Sequence, residues 1–167
     1  SLIDVSGARG EIDQFTSMGV QTLAIAGTGG SISLHAREGI VANGTLQGKA
    51  AAVAGAAGGS LSIGLDLYDR SQNPNSSISG GAIPFPTEDR ILTLTSDPAT
   101  LLPGSAANGT AHISAVQLQA GGFDQIELKS TDVIAIDGSV DFGARRSLVL
   151  DAPVLRGNAG ASANLHA

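Results

Sequence analysis

The stretch from Gln125 to Leu155, QIELKSTDVIAIDGSVDFGARRSLVLDAPVL, holds the strongest structural signal in the chain. Apolar residues come in short alternating bursts: Ile126 and Leu128, Ile134 and Ile136, Val140 and Phe142, Leu148 and Leu150, then Val154-Leu155. Glu127, Ala135, Asp141 and Val149 sit between the paired members. Alternation with period two in bursts this short predicts half-buried strands rather than helices. Ser130-Thr131-Asp132, Asp137-Gly138-Ser139 and Gly143-Ala144-Arg145-Arg146 separate the bursts. These are turn formers, because their side chains bond the local backbone or glycine frees it.

The bursts are regularly spaced. Eight residues separate Ile126 from Ile134, six more reach Val140, eight more Leu148 and six more Val154, so the pattern recurs after 22 residues with three strands per cycle. A fixed period near twenty predicts a solenoid, in which each coil completes its neighbour's core. Residue i then lies beside residue i+22. Asp124 sits over Arg146, Lys129 over Asp151, Ile126 over Leu148 and Leu128 over Leu150. Opposite charges outside and aliphatics inside are what neighbouring strands prefer.

The same grammar occurs earlier. Gly29-Gly30-Ser31-Ile32-Ser33-Leu34 is echoed 29 residues later by Gly58-Gly59-Ser60-Leu61-Ser62-Ile63. Ala50 to Ala57 supplies the seven extra residues as an enlarged corner; the alternative is a short helix, which Gly55 and Gly58-Gly59 disfavour at roughly 1 kcal/mol per glycine. Further bursts are Ile3 and Val5, Leu23 and Ile25, Ile40, Leu46, Leu65 and Leu67, Leu92 and Leu94, Ile113, Val116 and Leu118. Residues 68–90 and 97–110 break the pattern with prolines, which cannot donate to a central ladder, and are expected to be loop excursions. A stack of about six or seven coils at 4.8 Å each would form a rod roughly 30 Å long.

Composition supports a strand-rich chain and excludes several classes. Of 167 residues, 23 are glycine, none is cysteine or tryptophan, 3% are aromatic and 14% charged. Glycine is about twice, and charge about half, the usual share, which argues against coiled coils and helical bundles. Apolar content of 42% is too high for disorder. Without cysteine there is neither a disulfide framework nor a thiolate zinc site. A net charge of −6 argues against a nucleic-acid partner, which needs a basic face. No apolar run is long enough to span a bilayer as a helix, and Ser-Leu-Ile-Asp-Val at the start is no signal peptide. The chain is expected to be one segment, residues 1–167, cut from something longer.

At this point the residues resemble a family. Gly29 to Ile40 (GGSISLHAREGI), Asn43 to Gln47, and Gly58 to Ile63 are similar to the filamentous haemagglutinin family of large exoproteins. So are Ala120 to Leu128 (AGGFDQIEL), Asp132 to Gly138, and Arg146 to Pro153. The resemblance implies an all-β, right-handed parallel β-helix of about 22 residues per three-strand coil. It implies a structural shaft segment of a secreted or surface-displayed bacterial adhesin, presenting functional regions located elsewhere in the parent chain. It also implies export through an outer-membrane two-partner-secretion transporter, reached by an N-terminal domain expected to lie outside this chain. The family's secretion domain carries Asn-Pro-Asn; here Asn73-Pro74-Asn75 is followed by Ser76, and it is read as a turn.

Chemistry-bearing patterns are sparse. His35, His112 and His166 have no metal-ligand spacing, and no acidic partner is predictable for them. Gly44 to Lys49 is one residue short of a phosphate loop, and Ala50 stands where a Ser or Thr is needed. β-Helical lyases and hydrolases place carboxylates together on adjacent coils. Adding 22 to Asp124, Glu127, Asp132, Asp137 and Asp141 lands on Arg146, Val149, Val154, Ala159 and Ala163, so no carboxylate stacks on another. Asp66, Asp69, Glu88 and Asp89, with Arg70 and Arg90, are read as a solvated charge patch. Glycosylation sequons occur at Asn43, Asn75 and Asn108. The expectation is therefore no enzyme, no cofactor, no metal and no catalytic residues. Two alternatives are a module binding a host receptor or glycan through residues 68–90, and a polysaccharide lyase or hydrolase.

Overall fold

The computed structural model describes residues 1–66, 88–96 and 108–167. The proposed excursions at 68–90 and 97–110, including Asn73-Pro74-Asn75, fall almost wholly outside the described residues. Strands dominate, and they gather into several small sheets. A four-stranded parallel sheet has the order β13–β10–β7–β4, from Ser147–Asp151, Gln125–Ser130, Ser60–Leu65 and Ser31–Ala36. A five-stranded parallel sheet runs β14–β11–β8–β9–β5, from Val154–Gly157, Val133–Asp137, Ile91–Thr95, Thr110–Ser114 and Gly39–Val41. Two parallel pairs join β1 (Leu2–Asp4) to β6 (Thr45–Gln47) and β12 (Ser139–Gly143) to β15 (Ser162–His166).

Several expected registers are present. Ile126 pairs with Leu148, Leu128 with Leu150 and Lys129 with Asp151 across β10 and β13. Ser31 pairs with Ser60 and Leu34 with Ile63 across β4 and β7. Residues 50–57, between β6 and β7, form a corner of bends and turns without a helix.

The all-β, right-handed parallel β-helix with uniform 22-residue coils is corrected. The sheets are small and mix parallel with antiparallel pairing, and a helix interrupts the strands. The 22-residue offset belongs to β10 and β13 alone; Val133 pairs with Val154, Ser139 with Ser162, Ile91 with Thr110 and Ser60 with Gln125, offsets of 21, 23, 19 and 65. The two main sheets hold four and five strands, fewer than the six or seven layers expected. Corner lengths vary because solvent-facing loops tolerate insertions, whereas the buried registers do not.

Two bursts form elements of another kind. Val116 and Leu118 lie on helix α1, Ala115–Gly121, and not on a strand. Ala115, Leu118 and Gly121 are its buried residues, a helical three-residue spacing, while Val116 is 56% exposed. The Ser114 side chain caps the start by accepting from Gln117 N–H at 3.3 Å, and Gly122 stops it in the left-handed conformation that glycine adopts without strain. Leu23 and Ile25 lie on β3 (Gly19–Ala26), which forms an antiparallel hairpin with β2 (Arg9–Thr16). This hairpin is almost entirely exposed, with Phe15 and Met18 near its tip at 82% and 95%.

The core is one apolar cluster between the sheets and the helix. In the four-stranded sheet, Ile32, Leu61, Ile126 and Leu148 form one ladder, and Leu34, Ile63, Leu128 and Leu150 form the next. The five-stranded sheet adds Leu92, Leu94, Ile113 and Ile134, and β12 adds Phe142. Since side chains alternate across a strand, each inward aliphatic places its neighbours on the outer face. No helix among the described residues is long and apolar enough to cross a membrane.

Candidate functional site

The outer face of the four-stranded sheet carries the richest chemistry. With Leu34, Ile63 and Leu128 turned inward, the alternation puts Ser33 and His35 of β4, Ser62 and Gly64 of β7, and Glu127 and Lys129 of β10 on the opposite face. Parallel register arranges them in two rows, Ser33–Ser62–Glu127–Val149 and His35–Gly64–Lys129–Asp151. The Ser62 hydroxyl donates to Glu127 Oε2 at 2.9 Å. His35 Nε2 lies 3.3 Å from the same hydroxyl oxygen, and His35 Nδ1 lies 3.7 Å from Asp66 Oδ1. Lys129 Nζ is 3.8 Å from Asp151 Oδ2, both side chains half-exposed, which realises the expected pairing.

Gly64 makes room for the imidazole: a Cβ there would collide with the His35 ring. The ring therefore lies over bare backbone between Ser62 and Asp66. Sequence reasoning missed this constellation. The 29-residue echo of Gly29–Leu34 in Gly58–Ile63 held the signal, since it sets His35 beside Gly64 and Ser33 beside Ser62. Glu127 joins through the 65-residue offset between β7 and β10, which no repeat announces.

A second feature is a groove of about 340 Å³ beside α1, lined by Lys49, Leu118, Phe123, Asp124, Ile126 and Arg145 among others. Asp124 is 3% exposed, and its Oδ2 accepts from Arg145 Nη2 at 2.8 Å. The expected stacking of Asp124 over Arg146 holds for the backbone, where Arg146 N–H donates to Asp124 O at 2.8 Å. The ionic partner is Arg145 instead. Arg145→Met would strand a buried carboxylate. Its expected cost is about 2 kcal/mol, the low side for a broken buried pair because the half-exposed arginine leaves water a path. Chemical denaturation measures this, and Asp124→Asn added to Arg145→Met should recover most of the loss.

Of the loop acids and arginines read as a solvated patch, Glu88 and Asp89 are exposed, and Arg90 is not. Asp69 and Arg70 lie outside the described residues, Asp66 faces His35, and Arg90 is fully buried. Arg90 N–H donates to Asp132 Oδ2 at 2.7 Å, and Ser130 Oγ donates to Arg90 O at 2.6 Å. Its guanidinium is poorly matched: Nη1 donates to Glu88 O at 3.3 Å, Nη2 is 3.5 Å from Glu38 Oε2, and neither Nε nor Nη2 makes a hydrogen bond among the described residues. Desolvation of such a cation outweighs a long, misaligned pairing. Arg90→Met is expected to raise stability by about 1 kcal/mol, read as a higher denaturation midpoint with an unchanged slope.

The remaining candidates stay scattered. His166 Nδ1 approaches Asp141 Oδ1 at 3.6 Å, a diagonal contact, since the register sets Asn164 beside Asp141 and His166 beside Gly143. His112 lies on β9, away from both. Among the described residues, no three metal-ligating side chains cluster. Of the sequons, Asn43 and Asn108 are described, and Asn75 is not. Comparison with known proteins finds no matching family model, no matching curated protein and no matching solved structure.

Proposed function

We propose that the chain is a structural segment of a secreted or surface-displayed bacterial exoprotein of adhesin type, presenting functional regions carried elsewhere in a longer parent. The observation behind this reading is the in-register ladder Leu34–Ile63–Leu128–Leu150. It is built from the very stretches that resemble the filamentous haemagglutinin family. A buried parallel ladder of aliphatics needs no ligand to order it. On this reading the parent is exported by an outer-membrane transporter of the two-partner type.

The labelled chain applied to host epithelial cells and to a glycan array tests it. A structural segment shows no saturable binding and unfolds cooperatively in denaturant. Saturable binding that disappears when residues 68–87 are deleted, with the buried Arg90 kept and the β-sheet signal unchanged, would replace this reading with the receptor- or glycan-binding one.

A further inference from the structure

We propose that the outer face of the four-stranded sheet is a hydrolytic site for short-chain acyl esters, with Ser62 as nucleophile and His35 as general base. This goes beyond the structural role above and stands or falls independently of it. The order of groups is that of an activated serine: nucleophile, base, then a carboxylate that orients the base. Ser62 Oγ faces His35 Nε2 at 3.3 Å, and Asp66 Oδ1 faces His35 Nδ1 at 3.7 Å. Such contacts are commonly long in a free enzyme and tighten around substrate.

Two further features suit the chemistry. Gly64 leaves open the space over which the imidazole lies, and any side chain there would displace the ring. Lys129 pairs with Gly64 in the register, which sets it diagonal to Ser62, within reach of a long side chain. Its ammonium rests 3.8 Å from Asp151 Oδ2 and must turn from that carboxylate to meet an oxyanion forming at Ser62. In the resting state the Ser62 hydroxyl donates its hydrogen bond to Glu127 Oε2 at 2.9 Å, and it turns to His35 Nε2, 3.3 Å away, for the attack.

The step balances. Ser62 Oγ bonds to the ester carbonyl carbon while its proton passes to His35 Nε2, and the carbonyl oxygen takes up negative charge beside Lys129. The tautomer used carries its proton on Nδ1, facing Asp66. Collapse breaks the bond from carbonyl carbon to alkoxy oxygen, and the alcohol leaves with the proton from His35. Water then attacks the acyl-serine with His35 as base, releasing the carboxylic acid and restoring Ser62. Beside the site Ser33, His35, Gly39, Ile40 and Val41 line an open groove of about 430 Å³; with the His35 and Asp66 side chains 43% and 32% exposed, it suits a small acyl group such as acetyl. The alcohol portion extends along the sheet.

The test uses the whole chain with p-nitrophenyl acetate and a fluorophosphonate probe. The expected result is an acetyl or phosphonyl adduct on Ser62, located by peptide mass spectrometry and absent in Ser62→Ala. His35→Ala should slow acylation by about 100-fold, with added imidazole restoring part of the rate, as general-base catalysis requires. Asp66 is a positioning residue: Asp66→Asn lowers kcat with KM unchanged, and Asp66→Glu regains it. Circular dichroism of each variant confirms the fold. Label on lysine or histidine side chains irrespective of Ser62, or equal rates for the chain and Ser62→Ala, would overturn the proposal.

Discussion

Gly59→Ala should cost the domain about 4 kcal/mol of stability. The residue precedes β7, where three layers of backbone meet. Its N–H donates to Gly48 O at 2.6 Å, and its carbonyl accepts from Asp124 N–H at 2.9 Å. Ser60 N–H donates to Gly30 O at 3.0 Å beside it. A Cβ at Gly59 would fall on Gly30 O, well inside van der Waals contact, with Gly29 close behind. A flexible side chain could step aside, but these atoms are backbone, so the strands must separate. Overpacking of 1–3 kcal/mol and two weakened hydrogen bonds of about 1 kcal/mol each give an expected loss of about 4 kcal/mol. That is a large part of the 5–15 kcal/mol typical of a domain. Gly157→Ala is the control, because the nearest atom to its new Cβ is 3.7 Å away. It should change stability by no more than about 0.5 kcal/mol. Urea denaturation of both variants measures the contrast. Equal effects would show that the layers are not in tight backbone contact at Gly59.

Leu128→Ala is expected to cost about 4 kcal/mol, within the range for truncating a fully buried leucine. Leu128 is 0% exposed and lies between Ile63 and Leu150 in its ladder. Removing the side chain leaves a cavity that neighbours on both sides cannot fill without breaking register. Leu150 occupies the same ladder one strand further out, on the edge strand β13, and is only partly buried. Leu150→Ala loses less transfer energy and leaves a dent open to water, so its cost should be about 1.5 kcal/mol. The chemistry is identical in the two substitutions, and only the position in the ladder differs. Thermal melts of the two variants, compared at one pH and salt, test this. A Leu150→Ala effect as large as that of Leu128→Ala would mean that β13 is covered rather than an edge.

Part of this architecture is readable from residues alone. The alternation in Gln125–Leu155 identifies the strands β10 to β14 and the inward faces of β10 and β12, because a two-residue period survives where one face is buried; β11 buries Val133, Ile134 and Ala135 in succession and β14 is exposed throughout. Close repeats also disclose their pairing, as with β10 and β13 or β4 and β7. Val116 and Leu118 misled because two apolar residues at i and i+2 fit a strand burst. The helix is set instead by the Ser114 cap, the Gly122 stop and the three-residue spacing of Ala115, Leu118 and Gly121. Leu23 and Ile25 likewise alternate as a buried strand would, yet their hairpin packs against nothing that covers that face among the described residues.

The candidate site divides along the same line. Gly64 and His35 could be brought together from the 29-residue echo. Glu127, Asp124 with Arg145, and the burial of Arg90 could not, since each depends on strands or corners joined across long and unequal stretches of chain. Composition and local periodicity settled that this protein is strand-rich, aliphatic inside and poor in charge, because those properties act over a few residues. Which strands became neighbours, where the helix entered, and how Ser62, His35 and Asp66 came to face one another were settled by the assembled core. Nonlocal packing chooses among registers that the alternating pattern makes equally acceptable.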